Sequence, residues 1–192
     1  PMNLSLVRKA VRSLQSNKAK KVTSILSGST MINTTPIEAA YVAVCHTDIV
    51  ASIRKMEGFT PVAKYGNRKV ICAEEVGSVE DVRFIASPLF DAWINTGGTP
   101  GTGASAVISD NGTAADVYPV LIMGQHAFGH IALKGSKESG GAIKPMVRNP
   151  GKPTDGDELG QRGSVAWKTY YVAKILNDLW MCRVEVAGEE NP

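Results

Sequence analysis

The chain has 192 residues, of which 43% are hydrophobic and 20% are charged, and its formal net charge is +3. This length and composition predict a globular protein with one hydrophobic core, or one core with an elaborated lobe, and exclude a disordered protein. The small net charge does not by itself indicate a nucleic-acid-binding protein.

The first predicted element is one long amphipathic helix over residues 3–27, about seven turns in length. Apolar residues recur at helical spacing from Leu4 to Ile25, Asn3 stands in the N-cap position, and Gly28 is placed to end the helix. Residues 1–37 carry six Lys and Arg residues and no acid. The basic side could face nucleic acid or anionic neighbours, but a solvated or subunit-facing flank is the favoured interpretation.

Short elements follow a Ser/Thr-rich turn region at residues 28–36. Residues 39–45 read as a buried strand, and Thr47 is expected to cap a short helix that ends at Gly58. Its apolar face would hold Ile49, Val50, Ile53 and Met56. Residues 79–87 alternate as a strand does, and residues 117–133 predict two strands separated by Gly124.

Two Gly-rich connections, at residues 96–115 and 134–159, contain few large side chains. Loops of this length inside a compact domain are usually functional or mobile. We therefore expect them to serve binding or assembly.

The C-terminal segment, residues 159–186, is rich in aromatic and β-branched residues. Alternation from Val165 to Val172, with Trp167 among the residues of one face, favours a strand, although a helix also fits part of the pattern. The segment 177–178 would break this strand, and residues 181–186 would resume extended chain. The pattern predicts a core that is closed by the last residues of the chain.

Chemical motifs are weak. The loop at residues 98–105 has the outline of a phosphate-binding loop, but Ala104 occupies the position of the required lysine. His126 and His130 stand four residues apart in a segment expected to be extended, without an acidic third ligand, so packing roles are favoured over a metal site. His46 is expected at a strand–helix junction.

The paired acids Glu74–Glu75 and Glu80–Asp81 are expected to be solvated, since general acid or base catalysis requires burial. No GxSxG motif is present. The sequence therefore predicts no catalytic, cofactor-binding or metal-binding residue, and a protein that is not an enzyme.

The three cysteines, Cys45, Cys72 and Cys182, are far apart and odd in number, which predicts buried free thiols rather than a disulfide framework or a zinc cluster. The apolar run at residues 39–45 is shorter than the ~20 residues that cross a bilayer, and no signal peptide is recognised. We expect a soluble protein of intracellular origin.

Four stretches together carry a resemblance to a known family: LGQRGSVAWKTYYVAKILNDLWMCRVEV, VYPVLIMGQHAFGHIAL, GFTPVAKYG and LVRKAVRSLQSNKAKKVTSIL. They resemble the major capsid proteins of N4-like tailed bacteriophages, which are similar to the wider group with the Hong Kong 97-like fold. The resemblance covers most of the chain from Leu4 to Val186.

The resemblance implies an α+β capsid fold with a long spine helix at residues 3–27, a peripheral domain and an axial domain. Residues 1–28 and 134–192 would form the peripheral domain, and residues 29–133 would form most of the axial domain. We expect the family's extended N-terminal arm and projecting two-stranded loop to be missing here, as they would be in a fragment, a processed form or a shortened relative. The first helix and the last strand would pack together.

The implied function is that of a structural subunit that self-assembles, as hexamers and pentamers, into an icosahedral phage head around double-stranded DNA. Implied partners are other copies of the chain, decoration, scaffold or portal proteins, and DNA on the inner surface, with no cofactor and no membrane. The implied localisation is the virion, assembled in the bacterial host cytoplasm. The alternatives are a nucleic-acid-binding module built on the basic first helix and an enzyme that uses the Gly-rich loop.

Overall fold

Strands dominate the fold in a computed structural model, which describes residues 1–26, 34–103, 106–132, 145–153, 155–167 and 171–190. The two α-helices are α1 (Leu4–Ser16) and α2 (Val50–Arg54). The strands are β1 (Val22–Leu26), β2 (Thr34–Cys45), β3 (Thr60–Pro61), β4 (Glu75–Val79), β5 (Val82–Ala86), β6 (Val117–Met123), β7 (Phe128–Ala132), β8 (Met146–Arg148), β9 (Ser164–Ala166), β10 (Tyr171–Ile175) and β11 (Met181–Ala187). The chain is thus a mixed α/β protein, mostly sheet, which is compatible with a capsid-type α+β fold.

The predicted helix over residues 3–27 is wrong in its second half, because α1 ends at Ser16 and residues 22–26 form β1. The N-terminal prediction is confirmed, since the Asn3 side chain accepts a hydrogen bond from the Leu6 amide at 3.0 Å. The apolar face is also confirmed, with Val7 and Leu14 fully buried.

A backbone motif, and not Gly28, ends α1. Lys18 adopts a left-handed conformation (φ 57°). The Ala19 amide donates to the Leu14 carbonyl and the Lys18 amide to the Gln15 carbonyl, each at 2.9 Å. This pair of bonds is the Schellman arrangement, with a lysine in the position that glycine usually fills. Beyond it, β-branched residues of β1 pair with β2, which removes the segment from the helix.

A seven-stranded sheet organises the first of two compact units, which comprises residues 1–127 and 176–192. The strand order is β11-β6-β2-β5-β4-β3, and β1 pairs with β2. The β2–β5 pair is parallel and all other pairs are antiparallel. The predicted strand at residues 39–45 is confirmed and extends back to Thr34, into the predicted turn region.

The core of this unit lies between the sheet and the two helices. Its fully buried side chains include Phe84, Val120 and Ile122 from the sheet and Ile49 and Ile53 around α2. Transfer of each such side chain from water into the core stabilises the fold by roughly 1.5–3 kcal/mol. This burial holds the two helices against the sheet.

His46, rather than Thr47, caps the 3₁₀ turn that leads into α2. The His46 Nδ1 atom accepts a hydrogen bond from the Asp48 amide at 3.2 Å, and a 3₁₀ turn over residues 47–49 leads into α2. Gly58 has a positive φ of 78°, but α2 ends earlier, at Arg54. The predicted location of His46 at a strand–helix junction is confirmed.

The first helix and the last strand pack together, as predicted. Val184 and Val186 of β11 belong to the same apolar cluster as Val7 and Leu14 of α1. Beyond the end of α1, Trp180 Nε1 donates to the Asn17 carbonyl at 3.1 Å. The strand from 181 and the break near 177–178 are confirmed, since the Asn177 side chain caps a 3₁₀ turn that precedes β11.

The second unit, residues 128–175, contains two separate two-stranded ribbons. In one, β7 pairs with β10, and in the other, β8 pairs with β9, both antiparallel. The predicted single strand from 165 to 172 is wrong, because β9 ends at Ala166 and β10 begins at Tyr171. Residues 168–170 lie outside the described part of the chain.

Candidate interaction surfaces

The Gly-rich loop at residues 98–105 is followed by no helix in the described residues 106–116, and positions 104–105 lie outside the described residues. The connection over residues 96–115 is closed by an internal hydrogen bond and is joined to the residue that follows β11. The Ala115 amide donates to the Gly98 carbonyl at 2.8 Å, and the Ile108 amide donates to the Gly188 carbonyl at 2.9 Å. Residues 133–144, within the second Gly-rich connection, lie outside the described part of the chain.

The histidines occupy turn and strand positions. His126 has a positive φ of 63° in the turn after β6, and His130 lies on β7, as the extended-chain prediction required. His46 Nδ1 lies 3.2 Å from Asp48 Oδ2, and the Tyr118 hydroxyl donates to that same oxygen at 2.8 Å. Within the described residues, no three His, Cys, Asp or Glu side chains are placed to share a metal ion.

The Asp48–Tyr118 contact lies near the start of α2 and connects this helix to β6. Burial, followed by the hydrogen bond to Asp48, raises the pKa of Tyr118. A phenol with a raised pKa is a poor base at neutral pH, so this group ties two elements together rather than providing catalysis.

A buried charged cluster was missed by the sequence analysis. Arg83 on β5 is 2% exposed, and the Glu75 carboxylate on β4 accepts hydrogen bonds from the Tyr65 hydroxyl at 2.7 Å and the Ile71 amide at 2.6 Å. The prediction that Glu75 is solvated is therefore wrong. The physical reason is that β4 and β5 pair inside the sheet and the segment around Tyr65 covers their side chains.

The cluster is held by several weak contacts around one guanidinium. Arg83 Nη1 donates to the Lys69 carbonyl at 2.9 Å, Nε lies 3.8 Å from Glu75 Oε1, and the guanidinium lies 5.4 Å from the Tyr65 ring centre. Burial raises the pKa of Tyr65 to about 12. Such a network fixes the loop over residues 65–75 against the sheet.

The basic N-terminal segment is partly neutralised by acids in the β4–β5 turn. Arg8 forms an ion pair with Glu80, and Lys21 lies 2.9 Å from Asp81. Glu80 and Asp81 remain largely exposed, as expected, and the fold brings the acid-free segment to this acidic turn. The remaining basic side chains include Lys9 and Arg12, both exposed.

Exposed apolar side chains concentrate in the second unit. Val165 is 73% exposed and Trp167 is 66% exposed, which contradicts the predicted core around this segment. Others in this unit are Phe128, Met146, Val147, Leu159, Val172 and Ile175. Apolar groups in this number are typical of a protein–protein interface.

No protein-family model matches the chain. The chain is 24% identical over 185 residues to the major capsid protein of Pseudomonas phage KPP21, and the alignment covers 91% of this chain and 46% of the relative. The chain thus spans about half the length of this curated relative. The similarity supports a capsid protein.

No helix in the described part of the chain is long and apolar enough to cross a membrane.

Proposed function

We propose that this chain is a structural subunit of a phage capsid, with no enzymatic role, that assembles with copies of itself into the shell of the virion. The observation that carries the proposal is the similarity of 91% of the chain to a phage major capsid protein. Exposed apolar side chains such as Val165 and Trp167 support it, because a shell is held by buried apolar patches between subunits.

The finer proposal is an N4-like subunit with a Hong Kong 97-like fold that forms hexamers and pentamers of an icosahedral head around double-stranded DNA. Many weak contacts repeated around rotation axes would then stabilise the shell. Packaged DNA, together with decoration, scaffold or portal proteins, would be its further partners, and assembly would take place in the host cytoplasm.

The proposed division into a peripheral domain (residues 1–28 and 134–192) and a mostly axial domain (residues 29–133) accompanies that fold. The seven-stranded sheet joins β11 from the first range to β2 and β6 from the second. A structure of the assembled subunit would decide where the boundary lies. Residues 3–27 do not supply a continuous spine helix.

The direct test has two arms. In the first, phage heads purified from infected cells are analysed by mass spectrometry and by immunogold labelling with an antibody against this chain, and labelled heads are expected. In the second, purified chain is viewed by electron microscopy, and rings, sheets or shells are expected. Heads without peptides from this sequence would refute the proposal whatever the purified chain does.

A nucleic-acid-binding module on the first helix makes a different prediction. Its DNA affinity would fall steeply with salt, with a slope set by the number of phosphates contacted. Because Arg8 and Lys21 are already paired with acids, we expect only weak, nonspecific DNA binding. Fluorescence anisotropy with a duplex at several salt concentrations tests this expectation.

A further inference from the structure

The strand β11 (Met181–Ala187) lies at the end of the seven-stranded sheet. One of its sides pairs with β6 over its full length, from Met181 opposite Met123 to Ala187 opposite Val117. Its other side has no strand partner within the described residues. An edge of this length is a template for pairing with another chain.

The alternation of an antiparallel pair determines which residues of β11 turn their backbone groups outward. The Gly124 amide donates to the Trp180 carbonyl at 3.0 Å, so residues 180, 182, 184 and 186 direct their backbone groups toward β6. Pro119 lies opposite Glu185. Because proline has no amide hydrogen, it fits a position at which β6 and β11 exchange no hydrogen bond. Among the residues that the structure describes, the outward N–H and C=O groups of Arg183 and Glu185 therefore have no backbone partner.

An open cleft of about 390 Å³ lies beside this edge. It is lined by Leu6, Lys9 and Ala10 of α1 and by residues 182–185 of β11. Consecutive residues point to opposite faces of a sheet, so a cleft that all four of them line lies at the edge of the strand rather than over one face.

The charged side chains of this edge can pair with those of a second copy of the same edge. Arg183 and Glu185 lie on the same face, with Arg183 Nη2 3.0 Å from Glu185 Oε1, and they flank Val184. If a second copy of β11 pairs antiparallel with Val184 opposite Val184, each Arg183 faces Glu185 of the second copy. Opposite charges in directly facing positions stabilise a strand pair, and like charges destabilise it.

We infer that the edge of β11 pairs with β11 of a second copy about a two-fold axis at Val184, which joins two sheets into one. The inference rests on the proposed function, since it names a self-contact of that subunit. The contact is isologous, so one surface serves both partners. Main-chain hydrogen bonds from residues 183 and 185 hold it, and the two Arg–Glu pairs fix its register.

Charge reversal tests the register. Arg183→Glu places two carboxylates face to face, and Glu185→Arg places two guanidinium groups face to face, so each variant alone is expected to dimerise about tenfold more weakly, or worse still. A mixture of the two variants restores both opposite-charge pairs between copies, although the pair within each chain stays broken. Sedimentation velocity should therefore show a heterodimer with close to wild-type affinity.

Matched controls are Arg54→Glu on α2 and Asp110→Arg in the 96–115 connection, which change the net charge equally and should leave dimerisation unchanged. In a Cys182→Ser background, Val184→Cys should give a disulfide-linked dimer on mild oxidation, because the two-fold axis brings the two thiols together. Circular dichroism and unfolding curves verify that each variant is folded.

The outcomes separate the two proposals. If the mixture associates no better than the single variants, or if Val184→Cys fails to cross-link, the edge contact is refuted, while labelled heads or shells would still support the capsid subunit. A wild-type chain that stays monomeric at high concentration also refutes the edge contact. Absence of the chain from purified heads would refute the proposed function. The edge contact would still be supported if the two charge-reversal variants form a heterodimer.

Discussion

The seven-stranded sheet and the two ribbons of residues 128–175 are built from similar alternating sequences, yet they bury their side chains very differently. Phe84 on β5 is fully buried, whereas Val165 on β9 is 73% exposed. The strand β5 has a neighbour on both sides and lies in the core cluster with the helices, whereas the one described strand that pairs with β9 is β8. Burial is therefore set by the number of packing partners and not by the alternation itself.

The two regions also differ in how much apolar surface they could still bury against another chain. An isolated two-stranded ribbon is at best marginally stable in water. Contact with another chain would therefore stabilise the ribbon of β8 and β9, with its exposed apolar residues, more than it would stabilise the sheet. The following predictions test this contrast, beginning with the largest effect.

Phe84→Ala should lower the free energy of unfolding by about 3–5 kcal/mol, because it leaves a cavity in the core. Val165→Ala, a smaller truncation on the ribbon, should change it by less than about 0.5 kcal/mol. Urea unfolding followed by circular dichroism measures both. Equal costs would show that the ribbon is packed as tightly as the sheet in the free chain.

Glu75→Gln should lower the free energy of unfolding by about 2–3 kcal/mol, since it removes the buried carboxylate beside Arg83 and leaves only the half-exposed Glu38 carboxylate, 3.9 Å from Arg83 Nη2. Glu74→Gln changes an exposed neighbour and serves as the control, with little expected effect. Thermal unfolding at neutral pH compares the two. A cost no larger than that of the control would mean that the cluster does not hold the sheet.

Alkaline pH should destabilise the sheet unit through Tyr65. Its pKa is raised from 10.0 to about 12 in the folded chain, and burial is the largest cause. The neutral phenol therefore stabilises the fold fully below pH 10, and this contribution is lost between pH 10 and about 12 as the unfolded chain ionises first.

Urea midpoints measured from pH 9 to 12, with absorbance at 295 nm to follow ionisation, check this dependence on pH. Tyr65→Phe should show a shallower decline than the wild type over the same window. Burial also raises the pKa of Tyr118 and Tyr41, so some decline should remain. Parallel curves for the wild type and Tyr65→Phe would contradict the assignment.

Lys18→Gly should stabilise the sheet unit by about 0.5–1 kcal/mol, because glycine adopts the left-handed conformation at the end of α1 without steric cost. Lys20→Gly removes a lysine two residues away, outside the positions with positive φ, and should give no gain. Thermal unfolding resolves the difference. A loss for Lys18→Gly would indicate that the lysine side chain itself stabilises the helix end.

Much of the fold was predictable because it follows from local periodicity. The strands at residues 117–123 and 181–187, the cap at Asn3 and the break near residue 177 were all recognised from neighbouring side chains. The buried cluster of Glu75 and Arg83 was not predictable. The strand pattern places Arg83 on the other face of the strand from Val82 and Phe84, but it does not reveal that the segment around Tyr65 will cover that face. The resemblance to capsid proteins likewise came from recognisable sequence stretches.

The sequence by itself thus determined several extended segments, such as residues 117–123 and 181–186, where the first helix begins, and the kind of protein that the chain resembles. Only the tertiary structure decided that the first helix stops at Ser16, that Glu75 and Arg83 are buried, and that Trp167 is exposed. The physical reason is that periodicity depends on adjacent residues, whereas burial depends on segments that the fold brings from far along the chain.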